Sequence, residues 1–355
     1  MARWTQPEHT KSKVNNSGKT LINPTATSAD ILESLEVINN WKSSHAYPLN
    51  TFQATLRNRV KTVDKNATIA QRIKRLESIE RKLMREKSMA LSNMQDIGGI
   101  RAIVKDINSA RMLDRKYAAQ TLYGKYTSIN LNHELVKRND YIDTPKPSGY
   151  RGVHLIFRYN NNRPEAIPYN GLLIELQIRS KLQHLWATAV ETAEIFSSQA
   201  LKASDGQAEW LRFFALSGSI LSNHEKTPLV PNTPTDKKEL TKELSDLVQS
   251  FDIFKKFDAF TVAAKSIGSK HHKGKKIFLL VINLKTRILR IESFKENETE
   301  KATDHYLQVE KQAKQSAGIN AVLVSVDSFR ALPLAYPNYF ADTRLFTKAI
   351  RSSLV

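Results

Sequence analysis

The sequence predicts an α/β (α+β) protein: a mixed β-sheet flanked by helices, followed by a second, smaller α/β module. Three observations carry this. Short apolar runs bounded by Gly, Pro or Asn cluster in mid-chain at 99–105, 130–136, 152–159 and 172–179. Segments of helical period precede and follow them. A stretch with three prolines in nine residues, Thr227-Pro228-Leu229-Val230-Pro231-Asn232-Thr233-Pro234-Thr235, then separates a further set of helices and strands.

In chain order, residues 1–27 are polar and mostly aperiodic and read as a loosely ordered N-terminus. Ser28 is placed to cap a helix through Ile31, Leu32, Leu35 and Ile38. A second helix follows Asn50. A long helix is expected over about 67–89, with Ile73, Leu76, Ile79 and Leu83 on one stripe. The mid-chain strands follow, the first two separated by a helix at about 107–120. Two helices at about 180–197 and 205–224 complete a first domain, 28–226. Residues 227–236 form the linker. The second domain, 237–355, opens with a helix and two strands (276–284 and 287–294). A charged helix (297–315), a strand (321–326) and a terminal helical segment complete it.

Composition limits the function. With 54 basic and 35 acidic residues among 355, the net charge is +19, which favours a polyanionic partner. The excess is spread over both halves of the chain. There is no cysteine, so disulfides, thiolate nucleophiles and the usual structural zinc sites are excluded, and the C-terminal module is expected to be without zinc. The longest aliphatic and aromatic run, Ile277 to Ile282, is six residues, too short to span a bilayer. No apolar leader follows Met1. A cytoplasmic, non-membrane protein is expected.

Four constellations carry chemistry. Lys74, Ser78 and Lys82 recur every four residues beside Arg72, a row suited to gripping a polyphosphate; a solvated basic face has the same spacing. In 172–179, Leu172, Ile174, Leu176 and Ile178 alternate with Glu175, Gln177 and Arg179. The polar set is either the floor of a pocket or the wet face of an antiparallel strand. Asp96 precedes Gly98-Gly99-Ile100-Arg101, either a metal ligand at a strand edge or a turn aspartate. The loop 140–154 combines Lys146, Tyr150, Arg151 and His154, a set suited to stacking on a base with cations on its phosphates; a surface loop with a packed tyrosine has the same composition.

Taken in order, Arg-x-Lys-x3-Ser-x3-Lys (72–82), Asp-x2-Gly-x-Arg (96–101), Asp-Tyr-Ile-x2-Pro-Lys-x2-Gly-Tyr-Arg-x2-His (140–154) and Glu-x-Gln-Ile-Arg (175–179) resemble the synthetase domain of the RelA/SpoT alarmone synthetases. The resemblance covers about 30–225 and implies a nucleotidyltransferase-like fold. It implies transfer of the β,γ-pyrophosphate of ATP to a ribose 3′-hydroxyl. In it Arg72 and Arg101 would sandwich adenine, and Lys74, Ser78 and Lys82 would hold the phosphates. Asp96 and Glu175 would bind Mg²⁺, with Glu175 also activating the acceptor hydroxyl. Tyr150 would stack on the acceptor base, with Lys146, Arg151, His154, Gln177 and Arg179 around it. The text Gln183-His184-Leu185-Trp186-Ala187 departs from the usual pattern of the small synthetases, which places an acidic or amide residue before Phe-Trp-Ala.

The C-terminal module carries Tyr336-Pro337-Asn338-Tyr339-Phe340. By itself this is local packing, and His271-His272 reads as a solvated loop pair. On a zinc-less module, however, a Tyr-x-x-Tyr segment resembles the CapRel-type fused toxin–antitoxins of phage defence. That resemblance implies tRNA, through its 3′ CCA end, as the acceptor. It also implies Tyr336 and Tyr339 as an autoinhibitory plug over the ATP site, and a phage protein as activator. A plain synthetase using GDP or GTP, with a regulatory tail, is the alternative.

Overall fold

The computed structural model describes residues 4–120, 126–129, 131–197, 207–259, 263–264, 272, 274–315, 318–340 and 342–354. Three helices open it: α1 (Lys11–Leu21), α2 (Ser28–Ser44) and α3 (Ala46–Lys61). The N-terminal stretch expected to be loose therefore contains a helix. Val14 and Leu21 are buried in the main core, Gly18 between them lies against Leu83 and Leu91, and Thr10 caps the helix by accepting from the Lys13 amide. Its few apolar residues suffice because a neighbouring surface receives them. Thr27, not Ser28, caps α2, in a reciprocal pair with Asp30.

The expected long helix at 67–89 is instead a strand followed by a helix: β1 (Thr68–Ile73) and α4 (Leu76–Arg85). Ile69 and Ile73 lie in the core on one side of β1, while Ala70 packs on the other. The sequence could not separate the two readings because Ile73 falls in step with Leu76, Ile79 and Leu83. Strand pairing on both edges of β1 decides between them.

β2 (Gly98–Val104) and α5 (Ile107–Tyr117) follow. The expected helix at 107–120 stops at Tyr117, and Ala118–Gln120 forms β3, which pairs with β4 (Tyr126–Ser128) as a small ribbon. β5 (Glu134–Asp140), β6 (Val153–Arg158) and β7 (Leu173–Ser180) lead into α6 (Lys181–Ser197) and α7 (Gln207–Glu225). Beyond the proline-rich stretch come α8 (Lys237–Ser250), α9 (Ile253–Ala259), β8 (Ala263–Ala264), β9 (Ile277–Asn283), β10 (Ile288–Phe294), α10 (Thr299–Gln315), β11 (Ile319–Val326), α11 (Leu332–Ala335) and α12 (Arg344–Arg351).

One mixed sheet runs through both parts of the chain in the order β5-β6-β7-β2-β1-β11-β9-β10-β8. β2 and β7 are parallel neighbours. β1 joins the C-terminal strands by antiparallel pairing with β11, Ala70 opposite Val326 and Arg72 opposite Val324. The proline-rich stretch is no free tether: Val230 is buried, its amide donates to Ser219 Oγ, and Arg212 donates to the Asn232 carbonyl. Of the histidine pair, His271 lies outside the described residues. His272 is buried, its ring stacked 4.3 Å from that of Phe329.

The two faces of the sheet differ. Ile100, Ala102, Ile174, Leu176 and Ile178 face the main core beneath α3 and α5. Alternation sends Arg72, Arg101, Glu175, Gln177 and Arg179 to the opposite face, where α6 and α11 lie.

Candidate active site

Asp96, just before β2, is the centre of one half of the site. It ion-pairs with Lys74 from the end of β1 and, at 3.0 Å, with Lys82 on α4. Burial by itself would raise its pKa, but the two ammonium groups outweigh it and hold the carboxyl at about 2. Burial pulls Lys74 down despite Asp96. Ser78, one turn before Lys82, lines a cavity of about 360 Å³ with Arg72, Lys74, Arg75 and Glu191.

Glu175, on the adjacent strand β7, anchors the other half. It is buried, accepts from His154 Nδ1 at 2.7 Å and from Gln177 Nε2 at 2.7 Å, and Gln177 Oε1 accepts from Arg179 at 2.9 Å. His154 Nε2 is in turn hydrogen-bonded to the Tyr150 hydroxyl. Desolvation disfavours a charged His154, yet Tyr150 and Glu175 overcome it and raise the imidazole to about 9. Burial would raise Glu175, but the His154 charge keeps it low. The Arg179 guanidinium lies 5.2 Å from the Tyr150 ring centre and Lys146 Nζ 5.6 Å from it. The position of Tyr150 depends on Gly149, whose φ of +98° and whose contact with the Phe214 carbonyl leave no room for a Cβ.

The two halves meet. Arg72, Asp96, Gly99, Arg101, Glu175 and Gln177 line one cavity of about 20 Å³, space for a single water. Tyr336 closes it. Its ring lies 5.4 Å from the Arg101 guanidinium, and its hydroxyl donates to the Gln71 carbonyl at 3.0 Å. Arg101 also donates to the Ala335 carbonyl at 3.0 Å, and His184 Nε2 donates to the Leu334 carbonyl at 2.9 Å. Burial and the nearby Arg179 lower Arg101 to about 10. Burial, with Arg101 and Arg179, keeps His184 neutral. Tyr339, also buried, sits against Arg75, whose pKa it raises, and lines the larger cavity.

Arg151 is not brought to this site. It is buried between Glu225 of α7, at 2.7 Å, and Thr227, at 3.2 Å. The loop turns its side chain away from Tyr150, so it bolts the loop to α7. Three residues at the site escaped the sequence reading: Arg75, Glu191 and His184. His184 stood in the departing Gln183-His184-Leu185 text, but nothing in the sequence showed that it meets the backbone of residue 334.

Asp96 and Glu175 line one cavity, a pair of carboxylates of the kind that holds a divalent cation, although among the described residues no group of three or more potential metal ligands gathers. Among the described residues no helix is long and apolar enough to cross a membrane.

Residues 71–199 match the family described as the region found in RelA / SpoT proteins. GTP pyrophosphokinase YwaC of Bacillus subtilis (strain 168) is 34% identical over 128 residues, 33% of this chain and 52% of that protein. A GTP pyrophosphokinase of Escherichia coli (strain K12) is 27% identical over 177 residues, 50% of this chain and 19% of that protein. The chain thus spans about half the length of the first curated relative and about a fifth of the second. Among solved structures, small alarmone synthetase 1 from Bacillus subtilis with its product pppGpp aligns over 44% of this chain and 75% of its own, at 24% identity and a TM-score of 0.33. A GTP pyrophosphokinase family protein from Streptococcus pneumoniae aligns over 58% and 93%, at 21% identity and 0.36. The likeness to RelA and SpoT proteins thus falls on the stretch that carries Arg72, Lys74, Ser78, Lys82, Asp96, Arg101, Tyr150, His154, Glu175, Gln177 and Arg179, with Tyr336 and Tyr339 outside it.

Proposed function

We propose that this chain is an ATP-dependent pyrophosphotransferase that moves the β,γ-pyrophosphate of ATP to the 3′-hydroxyl at the CCA end of tRNA. In this reading it is a toxin of phage defence, held shut by Tyr336 and Tyr339 until a phage protein binds the C-terminal module. The observation that carries the reading is the convergence of Lys74, Lys82, Asp96 and Glu175 on one sheet face beneath a buried tyrosine that meets Arg101.

Adenine would take the place of the Tyr336 ring between Arg72 and Arg101. Lys74 and Lys82 would pass from Asp96 to the phosphates, which frees that carboxylate, and Ser78 would join them there. Asp96 and Glu175 would then hold Mg²⁺, which supplies charge neutralisation for the transferring group. Glu175 is ionised and accepts the proton of the attacking hydroxyl. The new O–P bond forms at the β-phosphorus as the bond to the α-phosphate oxygen breaks, and AMP leaves with that electron pair. Tyr150 would stack on the acceptor base, with Lys146, His154, Gln177 and Arg179 around it. The net charge of +19 favours a polynucleotide acceptor.

The names of the curated relatives favour a second reading, GDP or GTP as acceptor. The test is γ-labelled ATP offered separately to bulk tRNA and to GDP or GTP, with a Tyr336→Ala/Tyr339→Ala variant as enzyme. Label on tRNA alone supports the first reading; label on guanine nucleotide alone replaces it with the second. Asp96→Asn in the same background should abolish either transfer, and near-normal transfer by that variant would remove Asp96 from the mechanism.

A further inference from the structure

The C-terminal module does more than cover the site. Three consecutive pieces of the 72–76 segment are held by it. The backbone of Arg72 is paired opposite Val324 of β11. Arg75 donates to Asn320 Oδ1 at 3.3 Å. The amide of Leu76, the first residue of α4, donates to Glu310 Oε1 at 2.6 Å. Glu310 is on α10, more than 230 residues away in sequence. The same oxygen accepts from the Tyr306 hydroxyl at 2.6 Å. The other carboxylate oxygen ion-pairs with Lys42 of α2, a side chain only 1% exposed, whose ammonium lies 5.1 Å from the Tyr306 ring centre.

The first amides of a helix have no partner within it and carry its positive end. Glu310 supplies a charged acceptor there, and Lys42 and Tyr306 fix that acceptor in place. Ser78 lies two residues and Lys82 six residues beyond Leu76 on the same short helix. A tilt or slip of the start of α4 would therefore displace both groups from the phosphate side of the site.

We propose that Glu310 is a positioning residue for nucleotide phosphates: it seats the N-terminus of α4, so that the C-terminal module completes the phosphate half of the site and stays docked when Tyr336 withdraws. This rests on the reading of Ser78 and Lys82 as ATP-phosphate ligands.

The test uses the full chain carrying Tyr336→Ala/Tyr339→Ala, with ATP and AMP as probes in equilibrium binding. Lys42→Met is added so that no buried ammonium is left unpaired, and two variants are compared in that background. Glu310→Gln keeps an oxygen acceptor for the Leu76 amide; Glu310→Met removes it. The expected result is ATP affinity lower for Glu310→Met than for Glu310→Gln by about tenfold, with AMP affinity equal in the two. Equal ATP affinity overturns the proposal. So does an equal loss of ATP and AMP, which would make Glu310 a support of the fold alone. Tighter ATP binding by Glu310→Met also overturns it, because the carboxylate would then be a competitor of phosphate. A parent that binds neither nucleotide refutes the ATP reading and this assignment with it; a parent that binds ATP leaves only the Glu310 assignment at stake.

Discussion

Tyr336 offers a graded test of closure. Its ring is 2% exposed and meets the Arg101 guanidinium, and its hydroxyl donates to the Gln71 carbonyl. Tyr336→Phe removes one hydrogen bond, a loss of about 0.5–1.5 kcal/mol. Tyr336→Ala also removes the ring, and large-to-small changes of a buried aromatic cost about 3–5 kcal/mol. If that loss falls on the closed state alone, the open population rises about two- to tenfold for Phe and a few hundred- to a few thousandfold for Ala. Part of it will fall on the fold, because Tyr336 packs with Phe278, Val324 and Leu332 in the module's core. Thermal melting separates the two shares. The assay is the initial rate of label transfer from ATP, which should rise in the order wild type, Phe, Ala until ATP no longer limits. A folded Tyr336→Ala protein with the wild-type rate would refute the plug. Equal rates for Phe and Ala would show that the ring itself contributes nothing.

Other outcomes follow from the same contacts. His154 is raised to about 9 from an unfolded value near 6.5, so its contribution to stability is complete below about 6.5 and is lost as pH rises through about 9. The melting difference between wild type and His154→Gln should therefore shrink between pH 6 and 10; a constant difference contradicts the charged pair with Glu175. Arg151→Ala should lose about 3–5 kcal/mol of stability by stranding Glu225. A stable Arg151→Ala protein with a raised acceptor KM would return that residue to the site. Deleting residues 236–355 bares the β1 edge and leaves Lys42 without Glu310. Aggregation is expected in sizing chromatography, and a soluble, monomeric fragment would show that the sheet does not need β11.

Much of the site was legible because it depends on short-range order. The alternation of Glu175, Gln177 and Arg179 with Ile174, Leu176 and Ile178 sorts these side chains to opposite faces of any strand. Whether the polar face is a pocket floor or a wet surface depends on what covers it, and here that is α6 and the 334–336 backbone. Lys74, Ser78 and Lys82 do converge on one region, though only Ser78 and Lys82 keep the helical spacing that suggested it, because Lys74 lies between β1 and α4. The misreadings share a cause. The 67–73 segment, the N-terminal helix and Arg151 were each settled by a partner distant in the chain: β2 and β11, the main core, and Glu225.

The sequence by itself determined the residue types of the site, their order and their alternation, because side-chain period follows from local backbone geometry. Only the tertiary structure decided that the C-terminal module continues the same sheet. The pairing of β1 with β11, the seating of α4 on Glu310 and the placing of Tyr336 on Arg101 join residues more than 230 positions apart. Backbone hydrogen bonds between strands carry no side-chain signature of their partner, and a buried ion pair becomes visible only when both of its charges are in place.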